Sequence, residues 1–295
     1  MTYEWLALSA AFLWALASLL SVKPALHLGT FAYSRWRMGL TSLTLSAVVL
    51  ISGQWVTLNM SAILILAISG LIGIFVGDTA LFACLNRMGP RQAGLLFSCH
   101  AVFSAFMGYF LFQETLSLIE IGASSLVFLG VITAIFFGRS KRSGDNLEKL
   151  KGNIAVGISL GVIAALCQAV GSLLAKPIMQ TSVDPITGSA VRVITAFIAH
   201  SILFLSGAKI ARATQKINLN IFMVTFLNGF LAMTLGMTLI LFALQGGNVG
   251  MVALLSSTTP IMLLPLLWLY TGQRPNRFAW IGALLAVIGT GFLVQ

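Results

Sequence analysis

Acidic side chains are scarce in this chain. Only seven of its 295 residues are Asp or Glu, and all charged residues together make up 8%. A water-soluble domain carries roughly 25% charged residues, so no fold in water covers the apolar surface that remains. The seven acids are scattered, with no pair at catalytic spacing. That disfavours an integral-membrane enzyme acting on a lipid, which would need clustered carboxylates or histidines. Cysteine is sparser still. Cys84, Cys99 and Cys167 lie inside apolar segments and form neither a CxxC pair nor a metal spacing, so they read as small helix residues. Walker loops and HExxH are missing, which leaves ATP-driven pumping and zinc-dependent hydrolysis without a basis in the sequence. No catalytic residue, metal or cofactor is expected. The N-terminus has no basic n-region, carries Glu4 and shows no small-residue cleavage site, so the run from Trp5 to Val22 reads as a retained first helix that stops at Lys23 and Pro24.

What the chain has in abundance is apolar length. Hydrophobic residues make up 58%, and the mean hydropathy is +0.99. A membrane-spanning helix takes about 20 such residues. Ten segments qualify: Trp5–Val22, Tyr33–Ile51, Ser61–Leu85, Gln92–Phe112, Leu118–Phe137, Ile154–Ala175, Ile186–Ser206, Ile221–Leu244, Val249–Thr271 and Phe278–Val294. The longest polar stretch, Arg139 to Lys151, divides the chain almost in half and reads as a linker. The net charge of +10 comes from basic residues set singly between apolar segments. They read as topology signals and headgroup contacts, and no nucleic-acid partner is expected. Of the 17 basic residues, only Lys176 and Arg192 flank an even-numbered connection. Positive charge stays cytoplasmic, so the linker is expected inside and both termini outside.

The halves echo each other in order. SLLSVKPAL at Ser18–Leu26 answers GSLLAKPIM at Gly171–Met179, and Arg37 falls opposite Arg192. GDTALFACL at Gly77–Leu85 matches GMTLILFAL at Gly236–Leu244. AGLLFSCHAVF at Ala93–Phe103 matches VALLSSTTPIM at Val252–Met262, and EIGA at Glu120–Ala123 matches WIGA at Trp280–Ala283. Five helices per unit thread the second unit upside down, and the basic connections demand the same inversion. The expected architecture is an all-α integral membrane protein: ten transmembrane helices as two inverted five-helix repeats, the first at 1–138, a basic linker at 139–152, the second at 153–295.

Ten helices in two such units, the short basic turn LNRMGPRQAGLL (Leu85–Leu96) and the helix end FLFQETLS (Phe110–Ser117) together resemble the drug/metabolite transporter superfamily, and its EamA-type branch in particular. The resemblance covers nearly the whole chain. Two features depart from it. TGQRPN (Thr271–Asn276) stands where the family often keeps a Gly-Glu pair, and the family's termini are usually cytoplasmic. The resemblance implies that the fourth and ninth helices line a central cavity, and that Glu114 is a structural helix-end glutamate.

Ser98, Cys99, His100, Ser256, Ser257, Thr258 and Thr259 would then give that cavity its polar lining, with hydrogen bonding of the hydroxyls to their own helix as the alternative. Ionisable groups inside a span are costly and therefore candidates. Asp78 is either a proton-carrying carboxylate or a helix-end group bonded to a neighbouring helix or paired with Arg87 or Arg91. His100 is either a titratable group near the midplane or a packing histidine, and His200 reads as packing. Trp14, Gln168 and Asn228 are amphipathic or polar groups that suit contact with a ligand in a mostly apolar pocket. Arg37 and Arg192 either flank the cavity from opposite faces and attract an anionic or zwitterionic substrate, or snorkel to lipid phosphates. Gly73–Gly77 and Gly157–Gly161 have GxxxG spacing, for packing within the chain or in a homodimer.

The function these features suggest is secondary transport of a small metabolite or amphipathic compound by alternating access. A proton-coupled exporter or exchanger is expected, monomeric or homodimeric, multi-pass in a bacterial inner (plasma) membrane, with lipid and the small-molecule substrate as partners. A flippase for a lipid-linked substrate on the same fold is the alternative, ahead of the enzyme.

Overall fold

The structure, a computed structural model, describes residues 2–115, 117–136, 153–272 and 276–294. The whole basic linker at 139–152, the centre of the TGQRPN segment and Gln295 lie outside the described residues. Within them the chain is helical, without strands. That follows from the solvent. Lipid offers no partner to a backbone N–H or C=O, so a crossing segment must satisfy its own backbone.

Ten helical rods cross in order: α1 Thr2–Leu28, α2 Thr30–Ser52, α3 Met60–Met88, α4 in two segments (Pro90–Ser98 and His100–Phe112), α5 Leu118–Phe136, α6 Ile154–Met179, α7 Pro185–Leu205, α8 Leu219–Leu244, α9 in two segments (Val249–Ser256 and Thr259–Thr271) and α10 Arg277–Val294. Seven are long and apolar enough to span a membrane by composition alone. In α5 and α10 the described apolar stretches are shorter. The second rod, α2, carries Arg35 and Arg37 among its apolar residues.

The first and sixth helices run further than the sequence suggests. Helix α1 continues through Pro24 to Leu28, and α6 continues through Pro177 to Met179. A proline removes one backbone donor and crowds the preceding turn, and here the helix accommodates it close to its end. On the linker face α1 passes to α2 through Gly29 alone (φ 80°), and α3 passes to α4 through Gly89 (φ 84°). Side chains rarely adopt such angles, so glycine allows these one-residue turns.

Packing is reciprocal between the units. Helix α1 lies against α8 and α9, as α6 lies against α3 and α4; α2 packs on α7, and α5 on α10. Each contact turns into its partner when the two units are exchanged, as an inverted repeat requires. Capping repeats too. Asn59 accepts from the backbone of Ala62 at 2.8 Å to start α3, and Asn218 accepts from Ile221 at 2.9 Å to start α8. Both rods contain an eight-residue π-helical stretch, Leu71–Asp78 in α3 and Phe230–Met237 in α8.

Lipid supplies no hydrophobic drive between helices, so close approach of small residues holds the bundle. Ala7, Ala10, Ala11 and Ala15 line the buried face of α1, while large apolar side chains such as Leu43, Leu50 and Leu284 point outward. The Gly73–Gly77 and Gly157–Gly161 pairs are both used within the chain. Gly73 and Gly77 face Gly171 and Cys167, and Gly157 and Gly161 face Met88 and Leu96.

Candidate functional site

Helices α4 and α9 break at matching places, α4 at Cys99 and α9 at Ser257 and Thr258. Pro260 heads the second segment of α9 and lacks the donor a continuous helix would use. The breaks meet: Ser98 Oγ lies 2.9 Å from its own Gly94 carbonyl and 3.3 Å from the Ser257 carbonyl across the bundle. Freed backbone groups at membrane depth are tolerated where protein or a cavity takes them up. A cavity is present there.

Both units line it. Arg37, Asp78, Phe82, Phe97 and Ser98 come from the first, and Gln168, Asn228, Met237, Ser256, Ser257 and Thr259 from the second, with Trp14 at the inner end. The cavity runs from the helix breaks toward the α3–α4 turn at Leu85 and Pro90, which places it on the linker half of the bundle.

Its principal polar feature is a buried ion pair. Arg37 Nη2 donates to Asp78 Oδ2. The same guanidinium reaches Asn228 Oδ1 at 3.4 Å and lies over the Phe82 ring, 4.6 Å from its centroid. Asn228 in turn donates to the Ala17 carbonyl at 2.6 Å. Trp14 donates to the Ala232 carbonyl at 2.9 Å, inside the π-helical stretch of α8. A π-bulge shifts the backbone ladder by one residue and is frequent at functional sites.

Several expectations need correcting. The partner of Asp78 is Arg37 on α2, and Asp78 sits well inside α3, at the end of its π-helical stretch. Arg37 and Arg192 do not flank the two mouths of the cavity, and they do not snorkel. They are 2% and 0% exposed, because each is clamped where its helix crosses a glycine of the other unit. The Arg192 backbone lies on Gly70, and the Arg37 backbone and stem lie on Gly229. His100 and Thr258 are buried but do not line the cavity. His100 packs on Phe97 at 5.1 Å between ring centroids. Ser256, Ser257 and Thr259 do line it, yet each of the four hydroxyls from Ser256 to Thr259 donates to the carbonyl three residues earlier, at 2.6–3.0 Å.

A second buried ion pair, which sequence reasoning missed, lies at the opposite end. Lys176, at the end of α6, donates to Glu114, which follows α4. Glu114 also accepts from the backbone N–H groups of Val249 at 3.1 Å and Gly250 at 3.4 Å, at the start of α9. The signal was available, since a lysine inside an apolar segment needs a counter-charge. Among the described residues no three His, Cys, Asp or Glu side chains group into a metal site.

This architecture has known relatives. The EamA-like transporter family matches the chain over residues 1–136 and 155–295, and the protein belongs to that family. It is a multi-pass membrane transporter. A solved crystal structure superposes with a TM-score of 0.78, covering 98% of this chain and 95% of the other at 15% identity; a likeness at that identity speaks for the fold alone. No curated protein matches the chain in sequence.

Proposed function

We propose that the protein is a secondary transporter that moves a small metabolite by alternating access, driven by protons as an exporter or exchanger. The observation that carries this reading is the Arg37–Asp78 pair on the wall of a cavity shared by two inverted units. A carboxylate held by an arginine beside a binding cavity takes up a proton at modest cost when an anionic ligand takes its place on the arginine, because the guanidinium then keeps a counter-charge. Asp78 contacts Arg37 and lies within electrostatic range of Arg192 and the buried Tyr33. Its protonation releases Arg37 and couples to what the cavity holds. In this conformation the cavity lies on the linker half, while Lys176, Glu114 and the start of α9 close the other end. In the reading proposed here the linker is cytoplasmic, the units span 1–138 and 153–295, and the membrane is a bacterial inner (plasma) membrane. The working unit is a monomer or homodimer that binds a small-molecule substrate and lipid, without metal or cofactor.

The test uses the purified protein in proteoliposomes and a metabolite panel, with and without an imposed pH gradient. Gradient-driven accumulation is expected in the wild type. The Asp78→Asn variant is expected to lose it while still exchanging substrate across the membrane. Equal gradient response in wild type and variant removes the proton role. No flux of any compound removes the transporter mechanism.

A further inference from the structure

Two arginines and one aspartate are buried at the centre of this bundle. By the internal repeat Arg37 corresponds to Arg192, and Asp78 corresponds to Met237. The structure keeps both correspondences in space. Arg37 donates to Asp78, and Arg192 Nη1 points at Met237 Sδ, 3.2 Å away. A thioether is a weak acceptor and carries no charge. Nε and Nη2 of Arg192 have no hydrogen-bond partner among the described residues, and neither has Nε of Arg37. Guanidinium does not give up its proton in a protein. The centre therefore carries one more positive charge than the described residues answer, in surroundings where an unanswered charge is costly.

The geometry leaves room for the answer on one side only. Arg192 is enclosed, with Nη2 wedged against Gly73 and Gly171, where an added Cβ would sit 3.2 and 3.3 Å from it. Arg37 and Asp78 face the cavity. Asp78 lies within electrostatic range of Arg192 as well as Arg37. An anion entering the cavity meets Arg37, and Asp78 stays within electrostatic range of Arg192. With the anion bound, two guanidinium groups face two anionic groups.

We infer that the group the substrate presents to this cavity is anionic, a carboxylate or phosphate, received by Arg37 beside Asp78. The inference rests on the transporter reading above and names its substrate class. Asp78 is then an internal competitor for Arg37, and the residue at 237 decides whether the centre keeps its surplus charge.

The experiment follows the thermal unfolding midpoint of the purified protein in detergent micelles. The probes are butanoate, butanamide, butylamine, inorganic phosphate and, separately, phosphatidylglycerol. Butanoate or phosphate is expected to raise the midpoint, and the amide and amine are not. Asp78→Asn frees Arg37 and is expected to tighten anion binding by about tenfold. Met237→Asp supplies the missing carboxylate and is expected to weaken it by about tenfold. Arg37→Gln abolishes it. Stabilisation by phosphatidylglycerol alone, with the same response to the variants, places the anion on a lipid headgroup. Stabilisation by the amine, loss of binding in Asp78→Asn, or no response to any anion overturns the inference. The two readings fail separately. Proteoliposome flux of neutral or cationic compounds only would leave the transporter standing and remove the anionic substrate. Anion binding without flux would do the reverse.

Discussion

Two ion pairs are buried in this bundle to nearly the same degree. The side chains of Lys176 and Glu114 are 6% and 9% exposed, and those of Arg37 and Asp78 are 3% and 12%. Burial does not separate them, but their surroundings do. Glu114 is saturated: it takes the lysine and two backbone N–H groups at the start of α9, where the helix dipole also favours an anion. Among the described residues the Asp78 carboxylate accepts only from Arg37, and it faces a cavity. A saturated pair ties helices together, whereas an unsaturated one beside empty space is free to exchange partners. On the function proposed above, the Lys176–Glu114 pair is a structural salt bridge and the Arg37–Asp78 pair a functional one.

The largest expected effect breaks the saturated pair. Glu114→Ala strands Lys176 and two backbone donors, at a cost of about 3–5 kcal/mol. Loss of monodisperse protein on gel filtration is the measurement. The double variant Glu114→Gln, Lys176→Met removes both charges and is expected to recover much of the loss. A double variant as unstable as the single one would show that the pair is not the tie.

Next comes Gly70→Ala. The new methyl runs into the Arg192 backbone, and overpacking of this kind costs about 1–3 kcal/mol. A drop in the unfolding midpoint is expected. Its absence would mean that α3 and α7 separate easily, and that Arg192 is less firmly held than the comparison assumes.

Asp78→Asn is expected to cost less stability than Glu114→Ala, because Arg37 keeps Asn228 and faces the cavity. Equal unfolding losses in the two variants would erase the distinction between the pairs.

Ser257→Ala marks the lower limit. Its hydroxyl donates to the Leu254 carbonyl of its own helix, so removal is expected to change the midpoint by about 0.5 kcal/mol or less. A large loss of transport with intact stability would make the hydroxyl oxygen a substrate contact.

Much of the fold was legible in the sequence. The ten apolar segments and the ordered echoes between the halves lie within a few residues of the observed helices. The ends of α1 and α6 were misread because a proline in a late helical turn resembles a stop. The π-helical stretches were not legible at all. A one-residue shift in the hydrogen-bond ladder leaves the apolar pattern of LIGIFVGD and FLAMTLGM unchanged. Of the site, the sequence offered the residue types and their matched positions, while the roles assigned to Arg37 and Arg192 had to be revised. A charge near a helix end reads as interfacial until the neighbouring helices are in place.

Composition alone determined that the solvent is lipid, since so few charges cannot cover a soluble fold. Helix number and inversion followed from apolar length and from the internal repeat, because both are local in the chain. The partner of each buried charge was decided only by the tertiary structure. Arg37 meets Asp78, 41 residues away, and Arg192 meets Met237, 45 residues away. Those meetings depend on which helices are neighbours and how each is turned about its axis, and glycine crossings at Gly70 and Gly229 set that turn. The repeat makes the packing of the two sites alike, so each guanidinium meets the equivalent position of its own unit. The sequence sets that position as Asp78 in one unit and Met237 in the other, and only the assembled bundle shows that the difference leaves a charge unbalanced.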